Sequence, residues 1–279
     1  MTGATGTIGG ALAAELFRLG RTARLLVRPG AADRVSSLGE PAEADLDDGP
    51  ALGRALAGVR ALMLVTPLSP RQDRRQIRLI EAAVDAGVER IVKISALGAD
   101  PASPVGVHAE HGRSDAVLAA SGVSYAILRP NTFMQNVAQW RTAIERTGTL
   151  ELPMGEARVS MVDARDVASA ARGALLEWER VNGAFDLTGP EALSYDRIAE
   201  LISEATGTRV RYTDAAPETA AANMRAGGAP EWAVQARLEL YRSIRAGEAA
   251  VTTSHVAELA GRAPCRLADF LNRTRLLRG

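Results

Sequence analysis

Apolar residues along this chain follow two rhythms. Continuous runs at 23–27, 61–66, 90–95 and 125–129 read as short strands buried on both faces. Between them, Ile8, Leu12 and Leu16 recur every four residues, and Ile77, Ile80 and Val84 recur at spacings of three and four. Such spacing puts each trio on one helical face. Buried strands alternating with amphipathic helices predict an α/β fold, a doubly wound parallel sheet covered on both sides. The second half is less regular. It predicts strands at 159–162 and 184–187 and helices at 164–178, 194–205, 231–246 and 267–276, with a loop-rich stretch around Pro217, Gly227, Gly228 and Pro230. We divide the chain into a sheet domain, 1–130 and 158–188, and a smaller C-terminal substrate-binding lobe, 131–157 and 189–279.

The helix of Ile8, Leu12 and Leu16 is preceded by Gly3-Ala4-Thr5-Gly6-Thr7-Ile8-Gly9. Glycines at that spacing permit a tight turn and let backbone N–H groups approach a pyrophosphate, and the helix N-terminus adds an oriented dipole. Gly3, Thr5, Gly6, Thr7, Ile8 and Gly9 are therefore candidate cofactor-binding residues. A turn of this kind follows a central strand, yet only Met1 and Thr2 precede it. The expectation is that the first strand lies upstream of residue 1, in about 5–8 further residues.

Later strand ends supply the other candidates. Arg28 ends the 23–27 run, 19 residues after Gly9. An acidic residue there selects the ribose 2′-hydroxyl of NAD; an arginine suits the 2′-phosphate of NADP. NADP is the preferred cofactor and NAD the alternative, with a solvated strand-end arginine as the structural reading. Asp45-Leu46 is placed to bind an adenine, although a helix-capping aspartate explains Asp45 as well. Thr66-Pro67 and Ser95 sit at carboxyl ends of strands, where ligands bind in open parallel sheets. Asn131, Phe133 and Asn136 follow the 125–129 strand, and Phe133 offers a ring to stack on a flat acceptor or to fill a core.

Composition narrows the field. Basic and acidic residues balance at 33 each, which argues against nucleic acid. Arg71, Arg74, Arg75 and Arg78 share one helical face, read as a solvated surface rather than a docking patch. No apolar run is long enough to span a membrane and no secretory leader is evident, so a cytoplasmic location is expected. Cys265 is the single cysteine, which excludes an internal disulfide and a cysteine metal cluster; no metal site is expected. Lys93 is the single lysine.

Together, GATGTIG at 3–9, Val27-Arg28, Asp45-Leu46, Lys93-Ile94-Ser95, the segment from Leu128 to Asn136, Val162-Asp163-Ala164-Arg165-Asp166-Val167-Ala168, and Leu187-Thr188-Gly189-Pro190 with Ser194-Tyr195 resemble the NmrA-like branch of the atypical short-chain dehydrogenases/reductases. The resemblance spans nearly the whole chain. It implies a Rossmann domain binding NAD(P)H, in proteins ranging from quinone or azo-compound reductases to redox sensors without turnover. It also implies a catalytic pair. His111 stands where members resembling type 2 quinone oxidoreductases carry Lys or His, and Asp115 stands four residues on, in place of Glu. In that reading His111 faces the nicotinamide, Asp115 orients or charges its imidazole, and Ser95 hydrogen-bonds a substrate carbonyl. An exposed helix-cap histidine is the other reading of His111.

No tyrosine is followed four residues later by lysine; the positions hold Arg129, Ala199, Ala216 and Arg245. The Tyr/Lys proton relay of ordinary short-chain dehydrogenases is thus absent. Two readings remain: an NAD(P)H-dependent oxidoreductase acting on a quinone-like or related small conjugated acceptor, and a non-catalytic NAD(P)-binding redox sensor. The expected partner is a small-molecule substrate, with a homodimer admitted.

Overall fold

The computed structural model describes residues 1–274 of the 279. α1 (Thr7–Arg18) leads into β1 (Arg24–Val27), which pairs in parallel with β2 (Glu40–Glu43). α2 (Gly49–Leu56) then leads to β3 (Ala61–Leu64), α3 (Gln72–Asp85), β4 (Arg90–Ile94), α4 (Gly106–Ala120) and β5 (Ser124–Pro130). β3, β4 and β5 are parallel neighbours.

Met1 and Thr2 lie between β1 and β3. The Leu26 N–H donates to Met1 O at 2.8 Å, and the Thr2 N–H donates to Met63 O at 3.0 Å. The Thr2 hydroxyl also donates to Val65 O at 2.7 Å and accepts from the Val65 N–H at 2.8 Å. One rung of backbone thus joins the β1-β2 pair to the larger sheet and sets the position of the glycine turn.

The second half continues with a 3-10 stretch (Met134–Trp140), α5 (Arg141–Thr147), β6 (Thr149–Leu152), β7 (Arg158–Val159), α6 (Ala164–Leu176) and β8 (Gly183–Leu187). β8 pairs in parallel with β5 at the sheet edge. Next come β9 (Leu193–Ser194), α7 (Tyr195–Thr206), β10 (Arg211–Asp214), α8 (Pro217–Ala226), α9 (Glu231–Arg245), α10 (His255–Ala260) and α11 (Leu267–Arg273). β6 and β10 form a parallel pair, and β7 and β9 an antiparallel one. A second apolar core, including Val137, Leu150, Val159, Tyr195, Ile202 and Phe270, packs around these elements. α10 belongs elsewhere: Val256 and Leu259 join α1 and α6 in the core beneath the sheet.

The structure corrects several expectations. Val84 is exposed, and α3 buries Gln76, Leu79, Ile80 and Ala83 instead. The loop-rich stretch contains α8, because Pro217 occupies a first-turn position where its missing N–H is harmless. The predicted 159–162 strand is two residues of β7 followed by an isolated bridge between Phe133 and Val162. The helix expected at 267–276 ends at Arg273, and positions 275–276 lie outside the described residues.

Two buried polar residues tie the elements together. Arg90, fully buried, donates to Ser124 Oγ at 2.8 Å and to Ala174 O at 3.2 Å, placing positive charge at the C-terminal end of α6. Asp163 caps α6 by accepting from the Arg165 N–H at 3.0 Å, accepts from Gln135 Nε2 at 2.7 Å, and pairs with Arg273 of α11. Asp163→Ala removes the cap and leaves the Arg273 charge without its partner. It should lower unfolding free energy by about 2–4 kcal/mol, read from urea denaturation, with Asp163→Asn losing less.

Candidate active site

A cleft of about 890 Å³ opens at the carboxyl ends of β1 and β3, over the N-terminus of α1. Its floor is the glycine turn. Gly3 adopts φ +68°, a left-handed conformation natural to glycine, and its carbonyl accepts from the Gly6 N–H at 2.9 Å. A Cβ on Gly9 would lie 2.1 Å from Gly3 O, so only glycine lets the helix approach the turn this closely. Gly6 begins α1 with no side-chain cap, and the first turn carries no acidic residue. The end of the helix is therefore a site for an anion, and a dinucleotide pyrophosphate fits it.

The structure brings most candidates into this cleft. Gly3, Thr5, Gly6, Thr7, Ile8, Gly9, Arg28, Asp45, Leu46, Thr66, Pro67 and Phe133 all line it. Arg28 is exposed at the end of β1. Asp45 is not the helix cap. Asp48 caps α2 through the Ala51 N–H, while Asp45 accepts from the Asp47 N–H at 2.9 Å in the cleft wall. Thr66 accepts from Gln76 Nε2 at 2.7 Å, which fixes its hydroxyl from α3.

Sequence reasoning missed Arg34, Ser69, Gln72, Arg75, Gln135 and Gln139, which line the same cleft. Arg34 lies in a short 3-10 turn (Ala32–Arg34) after β1, exposed like Arg28. The Gly30 turn, whose N–H donates to Glu43 at 2.9 Å, precedes it. The arginine-rich face of α3 is partly neutralised: Arg75 and Arg78 both pair with Asp47, at 3.2 and 2.5 Å.

Ser95, Asn131, His111 and Asp115 do not line the cleft. Asn131 is buried, and its amide is fully engaged. It donates to Ser160 Oγ and Ala249 O, both at 2.8 Å, and accepts from the Thr132 N–H. The other three meet beside β4. Lys93, wholly buried, donates to Asp115 Oδ1 at 2.7 Å. Ser95 donates to Asp115 Oδ2 at 2.8 Å, and Arg129 reaches the same oxygen at 3.3 Å. The partner of Asp115 is thus Lys93 rather than His111. The His111 ring is half-buried on α4, far from any helix end, with Nδ1 3.4 Å from Lys93 Nζ. One residue earlier on α4, Glu110 accepts from the N–H of Gln72, so the cluster abuts the cleft wall.

The electrostatics follow from this packing. Burial pushes the Lys93 ammonium below its ordinary value, with Asp115 opposing and Arg129 adding to the shift. Burial, then Lys93 and His108, hold the His111 imidazole well below the usual range. His108 is lowered by burial, against the pull of Glu248. Among the described residues no group of three or more His, Cys, Asp or Glu is placed to hold a metal, and no helix is long and apolar enough to cross a membrane.

The fold and cleft define a dinucleotide-binding protein of the doubly wound class. The NmrA-like family model matches residues 1–254, and the chain belongs to that family. It is 36% identical over 276 residues to an NAD(P)H azoreductase of Xenophilus azovorans, covering 97% of this chain and 95% of that protein. It is 32% identical over 268 residues to a (4-alkanoyl-5-oxo-2,5-dihydrofuran-3-yl)methyl phosphate reductase of Streptomyces griseus, covering 94% and 92%. Among solved structures, the NADPH complex of the Escherichia coli NADPH-dependent quinone oxidoreductase QOR2 superposes with a TM-score of 0.88. That match covers 97% of each chain at 25% identity.

The lowered imidazoles generate a pH effect with a definite sign. The unfolded chain takes up protons on His108 and His111 near the ordinary value of 6.5, while the native chain resists them. Their contribution is therefore present above that value and is lost as pH falls through it. Between about pH 7.5 and about pH 5.5 the urea midpoint should fall, and it should fall less in a His108→Gln/His111→Gln double variant.

Proposed function

We propose that this NAD(P)H-dependent oxidoreductase delivers hydride from NADPH to a quinone-like or related small conjugated acceptor. The observation that carries the reading is the cleft: an uncapped glycine-rich helix N-terminus with Arg28 and Arg34 on the same wall. The pyrophosphate rests on the N–H groups of Thr7 to Gly9. Arg28 and Arg34 hold the 2′-phosphate through charge-assisted hydrogen bonds. Asp45 and Leu46 flank the adenine, and Thr66, Pro67 and Phe133 border the nicotinamide half. When bound, the reduced nicotinamide supplies the hydride; the protein's task is to orient the acceptor beside it. Segments 131–157 and 189–274, apart from α10, provide the substrate-binding lobe, with Phe133 as the stacking ring.

The lining of the cleft supports this acceptor class. None of Tyr125, Tyr195, Tyr212 and Tyr241 lines it, and Lys93 is held by Asp115. Burial raises the phenols of Tyr195, Tyr212 and Tyr241. No tyrosine is activated as a proton donor there. A quinone leaves a phenolate after hydride addition, which needs less proton assistance than an alkoxide. The azoreductase and quinone oxidoreductase names of similar proteins support the same class.

The cofactor assignment is tested by titration. Arg28→Ala/Arg34→Ala should raise the Kd for NADPH roughly tenfold to a hundredfold and leave NADH unchanged. Equal losses for both nucleotides would move the 2′-phosphate away from these arginines. The acceptor class is tested by following NADPH oxidation with a panel of benzoquinones, naphthoquinones, azo compounds and simple ketones. Turnover of conjugated acceptors and none of the ketones is expected. Nucleotide binding without any turnover would establish the redox-sensor reading instead.

A further inference from the structure

One wall of the cleft is made where the chain passes from β3 into α3. Gln72 and Gln76 stand one turn apart on the buried face of that helix. Gln76 has no solvent exposure and both ends of its amide are engaged. Its Oε1 accepts from Ser114 Oγ at 2.6 Å, and its Nε2 donates to Thr66 Oγ1 at 2.7 Å. A hydroxyl has one hydrogen, so Thr66, which accepts from Gln76, keeps its own O–H to donate elsewhere. Gln72 is 1% exposed, yet its Nε2 has no hydrogen-bond partner among the described residues. Buried polar groups are normally paired, because an unpaired donor carries the cost of its lost hydration. Thr66 and Gln72 line the same cleft.

The start of α3 is held in place from α4. Arg71, at φ +60°, is the one non-glycine residue with left-handed backbone among the described residues. Strain of that kind persists where the surroundings over-determine it, and it gathers at ligand sites. Glu110 supplies the constraint, accepting from the N–H groups of Arg71 at 3.1 Å and Gln72 at 3.3 Å. Arg113 adds a second tie by donating to Asp73 at 2.7 Å. Given the reading of this cleft as a dinucleotide and acceptor site, on which this step rests, we propose that Gln72 Nε2–H and Thr66 Oγ1–H form a subsite for an uncharged oxygen of the ligand.

An anion does not suit this position. The Glu110 carboxylate backs the same turn, and Asp47, on the same wall, is the partner of Arg75 and Arg78. Phosphates have the N-terminus of α1 and the exposed arginines instead. Two neutral donors beside carboxylates suit a carbonyl or hydroxyl oxygen. Such oxygens occur in the ribose and carboxamide of a nicotinamide nucleotide and in a quinone-like acceptor. Either one gives Gln72 Nε2 the partner that the chain does not supply. The carboxamide therefore contributes to affinity rather than to the stability of the fold.

Gln72→Met keeps an unbranched side chain of similar length and removes the donor. Three quantities are compared with wild type on the full chain: the urea midpoint without nucleotide, the Kd for NADPH and NADH by fluorescence titration, and KM for a benzoquinone. The midpoint should hold or rise, and a roughly tenfold loss should appear in ligand binding. Equal weakening of NADPH and NADH assigns the oxygen to the dinucleotide, since both carry the same ribose and carboxamide. Unchanged Kd values with a raised KM assign it to the acceptor. Thr66→Val should weaken the same step, and it decides by the same criteria if Gln72→Met does not fold. A lowered midpoint with Kd and KM as in wild type shows that the carboxamide serves the fold, and overturns the proposal. Kd and KM unchanged with the midpoint unchanged overturn it equally. A wild-type chain that binds neither nucleotide sinks the dinucleotide reading instead. The midpoint of Gln72→Met then decides the subsite alone: a fall rejects it, and a value that holds or rises retains it.

Discussion

The structure turns on how closely α1 approaches the turn before it. A single carbon atom on Gly9 would sit 2.1 Å from the Gly3 carbonyl, far inside any real contact. That approach aims the N-terminus of α1 at the mouth of the cleft. Thr2 holds the turn from the other side by hydrogen bonds to Met63 and Val65. Arg28, Asp45 and Thr66 then reach the cleft because the strands that carry them end near that turn. Were the turn to shift, those strand-end side chains would surround nothing.

A second organising feature is positive charge inside the sheet. Arg90 and Lys93 are both on β4 and both have no solvent exposure. The Arg90 terminal nitrogens donate to carbonyls and to Ser124; Lys93 donates to a carboxylate. The difference matters. Carbonyl partners let Arg90 brace the C-terminal end of α6, while a carboxylate partner gives Lys93 a counter-ion that other groups can share. Isolated, either charge would be costly to bury, and removal of one partner would be more damaging than replacement of the pair.

What the sequence disclosed follows from the range of the forces involved. The glycine turn and the apolar strands are local features, and the structure forms them as read; Arg28 lies at a strand end on the cleft. Phe133, only a few residues beyond a strand, was also legible. Asn131 was not, because its partner Ala249 is 118 residues away and nothing near Asn131 announces it. His111 and Asp115 have the spacing of a helical pair, yet the carboxylate turns to Lys93, 22 residues distant on a strand. Arg34 reaches the cleft through a 3-10 turn with no apolar periodicity. Pro217, with Gly227, Gly228 and Pro230, read as loop punctuation, yet α8 starts at Pro217 because a proline fits the first turn of a helix. The β6-β10 pair was invisible for a simpler reason: Arg211–Asp214 is largely polar and carries little burial signal.

The segment around residues 249–253 is a seam. Ala249 O takes the Asn131 amide, Val251 O takes the Ser160 hydroxyl, and the Thr253 N–H donates to Thr188. These contacts join chain regions made early and late, so loop closure makes them slow to form. During synthesis, the part of the cleft built from Gly3 to Arg75 leaves the ribosome long before the seam does. The part that carries Phe133 and Asn136 lacks its outer support until almost the whole chain has emerged. The two halves of one ligand site therefore mature at different times. A nascent chain has the glycine turn and its neighbouring strand ends before it has the opposite wall of the cleft.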